Sequence, residues 1–564
     1  MSKRNEKSTK VPLKEVARLN GRALRIYVRH FPQMLVSMVL HAAAKALTPY
    51  VGIYLSARII DELSGSRDVQ VLTHLVLAVL ISTAALALLT AALERWNNSR
   101  HAVQWHRRDG IYADKMLSMD FCSVDDSHTH DLFSQIRQNE QYSGWGLTHF
   151  YLGMEKLTTA VMRIAGAVAL VVTLFTLRVP QGAGALTILN NPLCIVAIVA
   201  VMLTVTLAAP AFANTANAYW ANHADDAKAG NRLFGFFGFM AHDRSRALDI
   251  RMYRQDILAR RGMEKDKSFS PDSKIAGYAR GPMGGYQALS AVVSNAFTGI
   301  VYVFVCLKAW GGAFGIGAVT QYIGAITQLS SGVSDLVSVL GGMRVNAAFL
   351  RTVFEFLDIP NNMYQGSLTV EKRSDRQYDI EFRNVSFRYP GTDAWALRNV
   401  TLKFRVGERL AVVGRNGSGK TTFIKLLCRL YDPTEGVILL NGIDIRKYNY
   451  LEYMSIFSVV FQDFKLLSFS LGQNVAAQAE YDREQAIDCL KQAGFGDRLH
   501  NMPQSTDTNL YKDFDEKGVE ISGGEAQKIA LARALYKDAP IVVLDEPTAA
   551  LDPIARARHL HALQ

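Results

Sequence analysis

Cysteine is scarce in this chain. Five are spread over 564 residues, Cys122, Cys194, Cys306, Cys428 and Cys489, with no C-x-x-C pair. That spacing excludes a disulfide framework and a thiolate metal site, and leaves reduced, mostly packing residues. The start of the chain, "MSKRNEKSTKVPLKEVARLNGRALRIYVRHF", lacks an apolar core followed by a small-residue cleavage site. No cleaved signal peptide is expected there, and the N-terminus is read as retained. Acid is in deficit, with 51 Asp and Glu against 62 Lys and Arg. A basic surplus suits nucleic acid or an anionic membrane surface, and its distribution has to decide between them.

Apolar residues are abundant instead. They make up 49% of the chain, and most of the long runs lie before residue 345. Crossing the hydrocarbon of a bilayer takes about 20 apolar residues in a helix, because a helix satisfies its own backbone groups. Six stretches meet that length, at 34–60, 71–93, 157–177, 193–213, 286–307 and 313–341. Short connections alternate with two long polar ones, 94–156 and 214–285. The first 30 residues hold nine Lys and Arg; the long connections are rich in them, and each short connection has one. By the positive-inside rule the long connections and both chain ends face the cytoplasm of a multi-pass cell-membrane protein. Topology and anionic membrane lipid then account for the basic surplus, and no nucleic-acid partner is expected.

"LKEVARLNGRALRIYVRHF", before the first span, spaces apolar residues at helical intervals with basic ones between them. It reads as a helix lying on the membrane surface. Within the spans, His41 and Lys45 sit one turn apart, with Arg163 in the third span and Asp335 in the sixth. Ionisable groups at such depth are costly and mark candidates for a translocation path, although a long side chain can also snorkel to the interface. "GGAFGIGAV", at the sixth span, points to close backbone packing or to a hinge.

Composition changes at "LDIPNNMYQGSLTVEKRSDRQYDI", a polar stretch with chain breakers. The expected division is an interfacial helix at 1–30, a transmembrane domain at 31–345, a linker at 346–377 and a soluble domain at 378–564. In that domain "LAVVGRNGSGKTTFIKLL" predicts an apolar strand, a Gly-rich turn and a helix. Gly414 is followed by Arg415, Asn416, Gly417 and Ser418, and then by Gly419, Lys420, Thr421 and Thr422. N–H groups of such a turn and helix start attract phosphate oxygens; Lys420 neutralises β/γ charge and the Thr421 hydroxyl suits Mg2+. "APIVVLDEPTAALD" predicts a buried strand carrying Asp545 and Glu546 to its C-terminal end, where α/β sheets bind ligands. Asp545 suits the metal shell, and Glu546 is placed to activate water.

"EISGGEAQKIALARAL", just before that strand, resembles the signature of ATP-binding cassette (ABC) proteins. Ser522, Gly523 and Gly524 form its centre, with Glu525 where the usual pattern has Gln. The resemblance implies that Gln462 in "VVFQDF" is the Q-loop residue serving metal and water, that Tyr389 in "FRYP" stacks on adenine, and that Ala550, Leu551 and Asp552 form the D-loop. It also implies that Ser522 to Glu525 close on ATP held by a second half, in a homodimer or heterodimer. Six spans ahead of one such domain look like an exporter half-transporter, an α-helical bundle followed by an α/β P-loop NTPase domain of ABC type. ATP and Mg2+ are the implied cofactors, and an amphipathic, peptide-like, lipid or drug-like molecule is the implied cargo. In that family the tips of the long connections dock on the nucleotide domains, here near 121–133 and 234–252.

The same resemblance implies a switch histidine about thirty residues beyond Glu546. Only eighteen residues follow Glu546, and neither His559 nor His561 falls at that position. The expectation is a C-terminally truncated record or gene. The alternative is a naturally shortened half that binds ATP, hydrolyses it poorly and supports a catalytic partner.

Overall fold

Helix length and hydropathy organise the first part of the molecule. The structure, a computed structural model, describes residues 11–223, 235–237, 240, 243, 246–265, 270–363, 366–371 and 377–546. The chain divides into two units, one from Met1–Asp114 and Asp131–Asp358, the other from Lys115–His130 and Ile359–Gln564.

The helices begin with α1 (Leu13–His30), α2 (Pro32–Ser64), α3 (Val69–Ser118), α4 (Phe121–Asp125), α5 (Ser127–Ser143), α6 (Leu147–Thr176) and α7 (Pro192–Asn222). Among the described residues, six helices are long and apolar enough to cross a membrane: α2, α3, α6, Pro192–Tyr219 within α7, Lys274–Trp310 and Ile316–Leu357. All six fall on the expected stretches. Most overrun them, because a helix continues past the hydrocarbon wherever its backbone stays bonded. The fifth span is interrupted by a wide turn at Ala279–Met283, where Pro282 removes a backbone donor. The sixth extends to Leu357, beyond the apolar run that announced it. On α3, Leu80, Ile81 and Leu88 are exposed, a band suited to hydrocarbon.

Small residues bring these helices together. Ala160 and Ala167 of α6 and Ala325 and Ala347 of the sixth span are fully buried, as expected where packing rather than hydrophobicity joins helices in lipid. The "GGAFGIGAV" stretch resolves into a turn and the start of the sixth span. A Cβ on Gly317 would lie 2.0 Å from the Ala57 carbonyl oxygen, so α2 and the sixth span meet there through backbone. Asp61 fixes the contact by accepting a hydrogen bond from the Gly317 N–H at 2.8 Å.

α1 presents a buried stripe of Leu19, Ala23 and Tyr27, one per helical turn. The Tyr27 hydroxyl donates to the Leu147 carbonyl at 2.8 Å and receives the Gln104 amide at 2.9 Å. Beside it lies a buried ion pair. Arg108 Nε of α3 is 3.0 Å from Glu140 Oε2 of α5, and both side chains are 3% exposed. Glu140 Oε1 accepts the Tyr112 hydroxyl at 2.9 Å and the Leu147 N–H at 3.0 Å. Burial pushes the Glu140 carboxyl above the usual range, with Arg108 and the two hydrogen bonds opposing it. Asn346 of the sixth span adds a two-way clasp with the Gly146 backbone, at 2.7 and 2.9 Å.

In the second unit, β1 (Asp379–Phe387) is central to an antiparallel sheet with β2 (Leu397–Arg405), β3 (Glu435–Leu440) and β4 (Ile443–Asp444), in the order β2-β1-β3-β4. Ile380 and Phe382 of β1 are fully buried, and the Phe382 ring stacks on Phe423 at 4.7 Å. A separate parallel pair joins β5 (Phe457–Val460) to β6 (Ile541–Leu544). Helices Leu471–Ala476, Arg483–Gln492 and Gly523–Lys537 share an apolar core of Leu471, Leu490 and Leu531. All five cysteines are free thiols, and Cys428 and Cys489 are buried.

One expected element is absent. Residues 410–413 form no strand, and Val413 is 91% exposed. The run is apolar enough for a strand, but pairing is a tertiary property that four residues do not specify by themselves.

The buried Arg108–Glu140 pair generates a prediction. Glu140→Ala leaves the guanidinium buried without its carboxylate and costs about 3–5 kcal/mol. The joint replacement Arg108→Met with Glu140→Leu removes both charges and costs less than the single change. Thermal unfolding in detergent should order the midpoints as parent, then double, then single variant.

Candidate functional site

The phosphate cradle is built by glycines. Gly417 and Gly419 have φ of 79° and 94°, a region that other residues rarely adopt. A Cβ at Gly419 would also lie 2.7 Å from the Ala396 carbonyl oxygen. The turn therefore passes close to the chain before β2, and the helix Lys420–Leu427 starts directly from it. Gly414, Asn416 and Ser418 belong to the turn, and the Ser418 N–H closes it on the Arg415 carbonyl at 3.1 Å. Thr421 stands in the first helical turn, half-buried. Lys420 Nζ folds back over the turn and donates to the carbonyls of Gly414 and Arg415, at 3.0 and 3.3 Å. The Lys420 amine thus lies against a glycine turn at a helix start, a combination that suits polyphosphate.

The parallel pairing of β5 and β6 supplies the other wall. Val460 is paired with Leu544, and the Asp545 N–H donates to the Val460 carbonyl at 2.9 Å. Gln462 and Glu546 each lie two positions beyond that pair, so the two side chains emerge together. Gln462 Nε2 donates to Glu546 Oε2 at 2.9 Å. Glu546 Oε1 is 4.0 Å from Lys420 Nζ. Glu546 has φ of 49°, an infrequent conformation outside glycine and one that recurs where function over-determines the backbone. Asp545 is buried, and its Oδ2 has no hydrogen-bond partner. A buried carboxylate oxygen without a donor is costly, and a hard divalent cation such as Mg2+ would satisfy it. Asp545 and Thr421 therefore fit the metal by donor chemistry, with Gln462 beside the Glu546 carboxylate.

A second helix start forms a further cradle. Ser522 caps the helix Gly523–Lys537: its hydroxyl oxygen accepts from the Glu525 N–H, and the Glu525 carboxylate accepts from the Ser522 N–H at 2.8 Å. Gly523 and Gly524 follow the cap without side chains in the way. The Ser522 hydroxyl donates to Glu525 Oε2 at 2.8 Å, and Arg498 Nε lies 2.8 Å from Glu525 Oε1. Burial opposes ionisation of Glu525, but Ser522 and Arg498 outweigh it and hold the carboxyl below the usual range. The acid that replaces the usual amide is therefore neutralised from a different helix.

Tyr389 follows β1. Its hydroxyl shares a hydrogen bond of 3.0 Å with Thr422 Oγ1, which ties this ring to the phosphate helix. Three groupings thus emerge among the expected residues: Lys420, Gln462 and Glu546; Tyr389 and Thr422; and Ser522 with Glu525. Ala550, Leu551, Asp552, His559 and His561 lie outside the described residues, as does part of the loop tip at 234–252.

Some partners were not expected from the sequence. Arg498 beside Glu525 is one. Lys425 and Tyr431 beside Tyr389 are two more, with Lys425 Nζ 5.7 Å from the Tyr389 ring centre and the two tyrosine rings edge-on at 5.5 Å. Their only sequence signal is an aromatic and a cation after the P-loop, which specifies no neighbour. In the spans, Arg163 and Asp335 are brought together at 2.8 Å. His41 is buried with Nδ1 lacking a hydrogen-bond partner, whereas Lys45 is exposed. Lys308, read as part of a short connection, is instead fully buried and donates to the Leu174 carbonyl at 2.5 Å.

Six apolar spans are thus followed by a domain that contains a glycine turn with Lys420, Gln462 beside Glu546, a capped helix at Ser522 and the Asp545-Glu546 strand end. Comparison with known proteins finds the following similarities. Residues 397–549 match the ABC transporter family. The chain is 38% identical over 238 residues to the ATP-dependent lipid A-core flippase of Escherichia coli (strain K12), and equally to that of Shigella flexneri. That similarity spans 42% of this chain and 40% of the length of each flippase. A solved structure of a bacterial Atm1-family ABC exporter with ATP bound shares the fold, with a TM-score of 0.60 and 21% identity, covering 96% of this chain and 89% of the other.

If Tyr389 stacks on the base, Tyr389→Ala should weaken ATP binding about 5- to 150-fold, the range for losing one base–aromatic stack. Binding of Mg2+-tripolyphosphate, which has no base, should be unchanged. Titration of the full chain with both compounds checks the pair.

Proposed function

We propose that this chain is an ATP-driven exporter half that couples ATP binding and hydrolysis to movement of an amphipathic cargo across the cell membrane. The observation that carries the reading is the convergence of Lys420 and Gln462 on Glu546, beside the buried, unpartnered Asp545 oxygen. Mg2+-ATP, when bound, supplies the phosphoryl group and the metal charge that spreads over it. Lys420 and the turn N–H groups hold the phosphates. Gln462 orients the Glu546 carboxylate, which is in place to take a proton from water. Tyr389 offers its face to the base.

Ser522, Gly523 and Gly524 form a second anion cradle, which in this reading closes on ATP held by a second half-transporter, identical or not. The nucleotide domain and both termini face the cytoplasm, consistent with the basic long connections. Cargo moves along the spans past Arg163 and Asp335, whose pairing lowers the cost of charge at that depth. A lipid, peptide-like or drug-like amphiphile fits such a path, and the flippase similarity favours the lipid-like end of that range.

A second reading is that this chain binds ATP, hydrolyses it poorly and supports a catalytic partner half, whose ATP the Ser522 cradle would serve once its hydroxyl leaves Glu525.

ATP hydrolysis in liposomes separates the two. The exporter reading predicts turnover that Glu546→Gln lowers by about 10²-fold or more while nucleotide binding persists. ATP binding without turnover in the parent chain would contradict it and favour the assisting role.

A further inference from the structure

Tyr389 is also part of a cluster that reaches the first cytoplasmic connection. Phe121, at the start of α4, meets Tyr431 edge-on at 5.6 Å. Tyr431 in turn meets Tyr389 edge-on at 5.5 Å. Lys425 Nζ lies 5.5, 5.7 and 5.9 Å from the ring centres of Phe121, Tyr389 and Tyr431, within cation–π range of all three. Lys425 stands on the helix whose N-terminus forms the phosphate cradle. The buried Tyr431 also donates its hydroxyl to the Asp125 carboxylate at the far end of α4.

The start of α4 is fixed separately. Asp120 caps it by accepting the Ser123 N–H at 3.0 Å, and its other oxygen accepts the N–H groups of Asn362 and Met363 at 2.9 and 3.3 Å. A cleft of about 680 Å³ opens between Asp120, Cys122, Tyr389 and Tyr431. The Tyr389 side of α4 is therefore held by ring and cation contacts across a gap, a support that responds to small changes in ring position.

We propose that Lys425 and Tyr431 are positioning residues that carry occupancy of the base site on Tyr389 to α4. A ligand shifts a conformation only through interactions that differ between states. A base stacked on Tyr389 fixes that ring and extends the π surface beside Lys425. Both effects favour the arrangement in which Phe121 and Asp125 are engaged. The order of α4 thus depends on the nucleobase, not on the phosphates alone. This inference rests on ATP being the ligand of the site.

Hydrogen exchange of the full chain in liposomes tests it, with Glu546→Gln present throughout to retain nucleotide. ATP should slow exchange in both 414–422 and 115–130. Mg2+-tripolyphosphate should slow exchange in 414–422 only. Lys425→Met should lose about fivefold of the ATP-dependent protection at 115–130 and keep it at 414–422. Tyr431→Phe keeps the ring, loses the Asp125 bond and should fall between. Equal protection of 115–130 by tripolyphosphate, or full ATP protection there in Lys425→Met, would overturn the inference alone. So would protection in the parent that never reaches 115–130. Failure of ATP to protect 414–422 in the parent would overturn the nucleotide reading and this inference with it.

Discussion

The register between β5 and β6 is the constraint on which the site depends. Because Val460 pairs with Leu544 in parallel, Gln462, Asp545 and Glu546 leave the same end of the pair together. A slip of β6 by one residue would turn Asp545 and Glu546 to the opposite face and separate Glu546 from Gln462. Everything chemical in the second unit follows from that end: the Gln462–Glu546 hydrogen bond, the nearby Lys420 amine, and the buried Asp545 oxygen that asks for a cation. The glycine turn then brings N–H groups and Lys420 to the same place.

The first unit solves a different problem, the placement of charge among apolar helices. Arg108 with Glu140, and Arg163 with Asp335, are each paired, and Asp61 serves as a cap for Gly317. The Arg163–Asp335 and Asp61–Gly317 contacts join helices far apart in sequence, and the Arg108–Glu140 pair joins α3 to α5. A pair buried as well as Arg108–Glu140 adds little net stability compared with apolar packing, but loss of one partner is expensive. Such pairs therefore specify which helices meet.

Most of the architecture was legible in the sequence because its signals are local and strong. Six apolar runs of spanning length and an asymmetric distribution of Lys and Arg gave the helices. The order Gly414 to Thr422, Gln462, Ser522 to Glu525 and Asp545-Glu546 marked the candidate site. What the sequence did not carry was pairing between distant residues. Nothing in "RYP" and "LLCRLYD" joins Tyr389 to Tyr431, and nothing in "FGDRLH" sends Arg498 to Glu525. The apolar run at 410–413 was read as a strand from its composition, yet it forms none, because composition does not choose a partner. Lys308 shows the same limit in the spans: its charge placed it in a connection, but its stem and amine are buried against α6.

The central claim is that one nucleotide is shared by two cradles, the turn at Lys420 and the helix start at Ser522, on different copies or halves. Photolabelling with ATP carrying its reactive group on the γ-phosphate, followed by peptide mapping in the Glu546→Gln chain, tests this directly. The account predicts label on peptides containing 414–422 and on peptides containing 522–525, with the second set disappearing when the protein is diluted to monomers. Label confined to 414–422 in the assembled protein would contradict it.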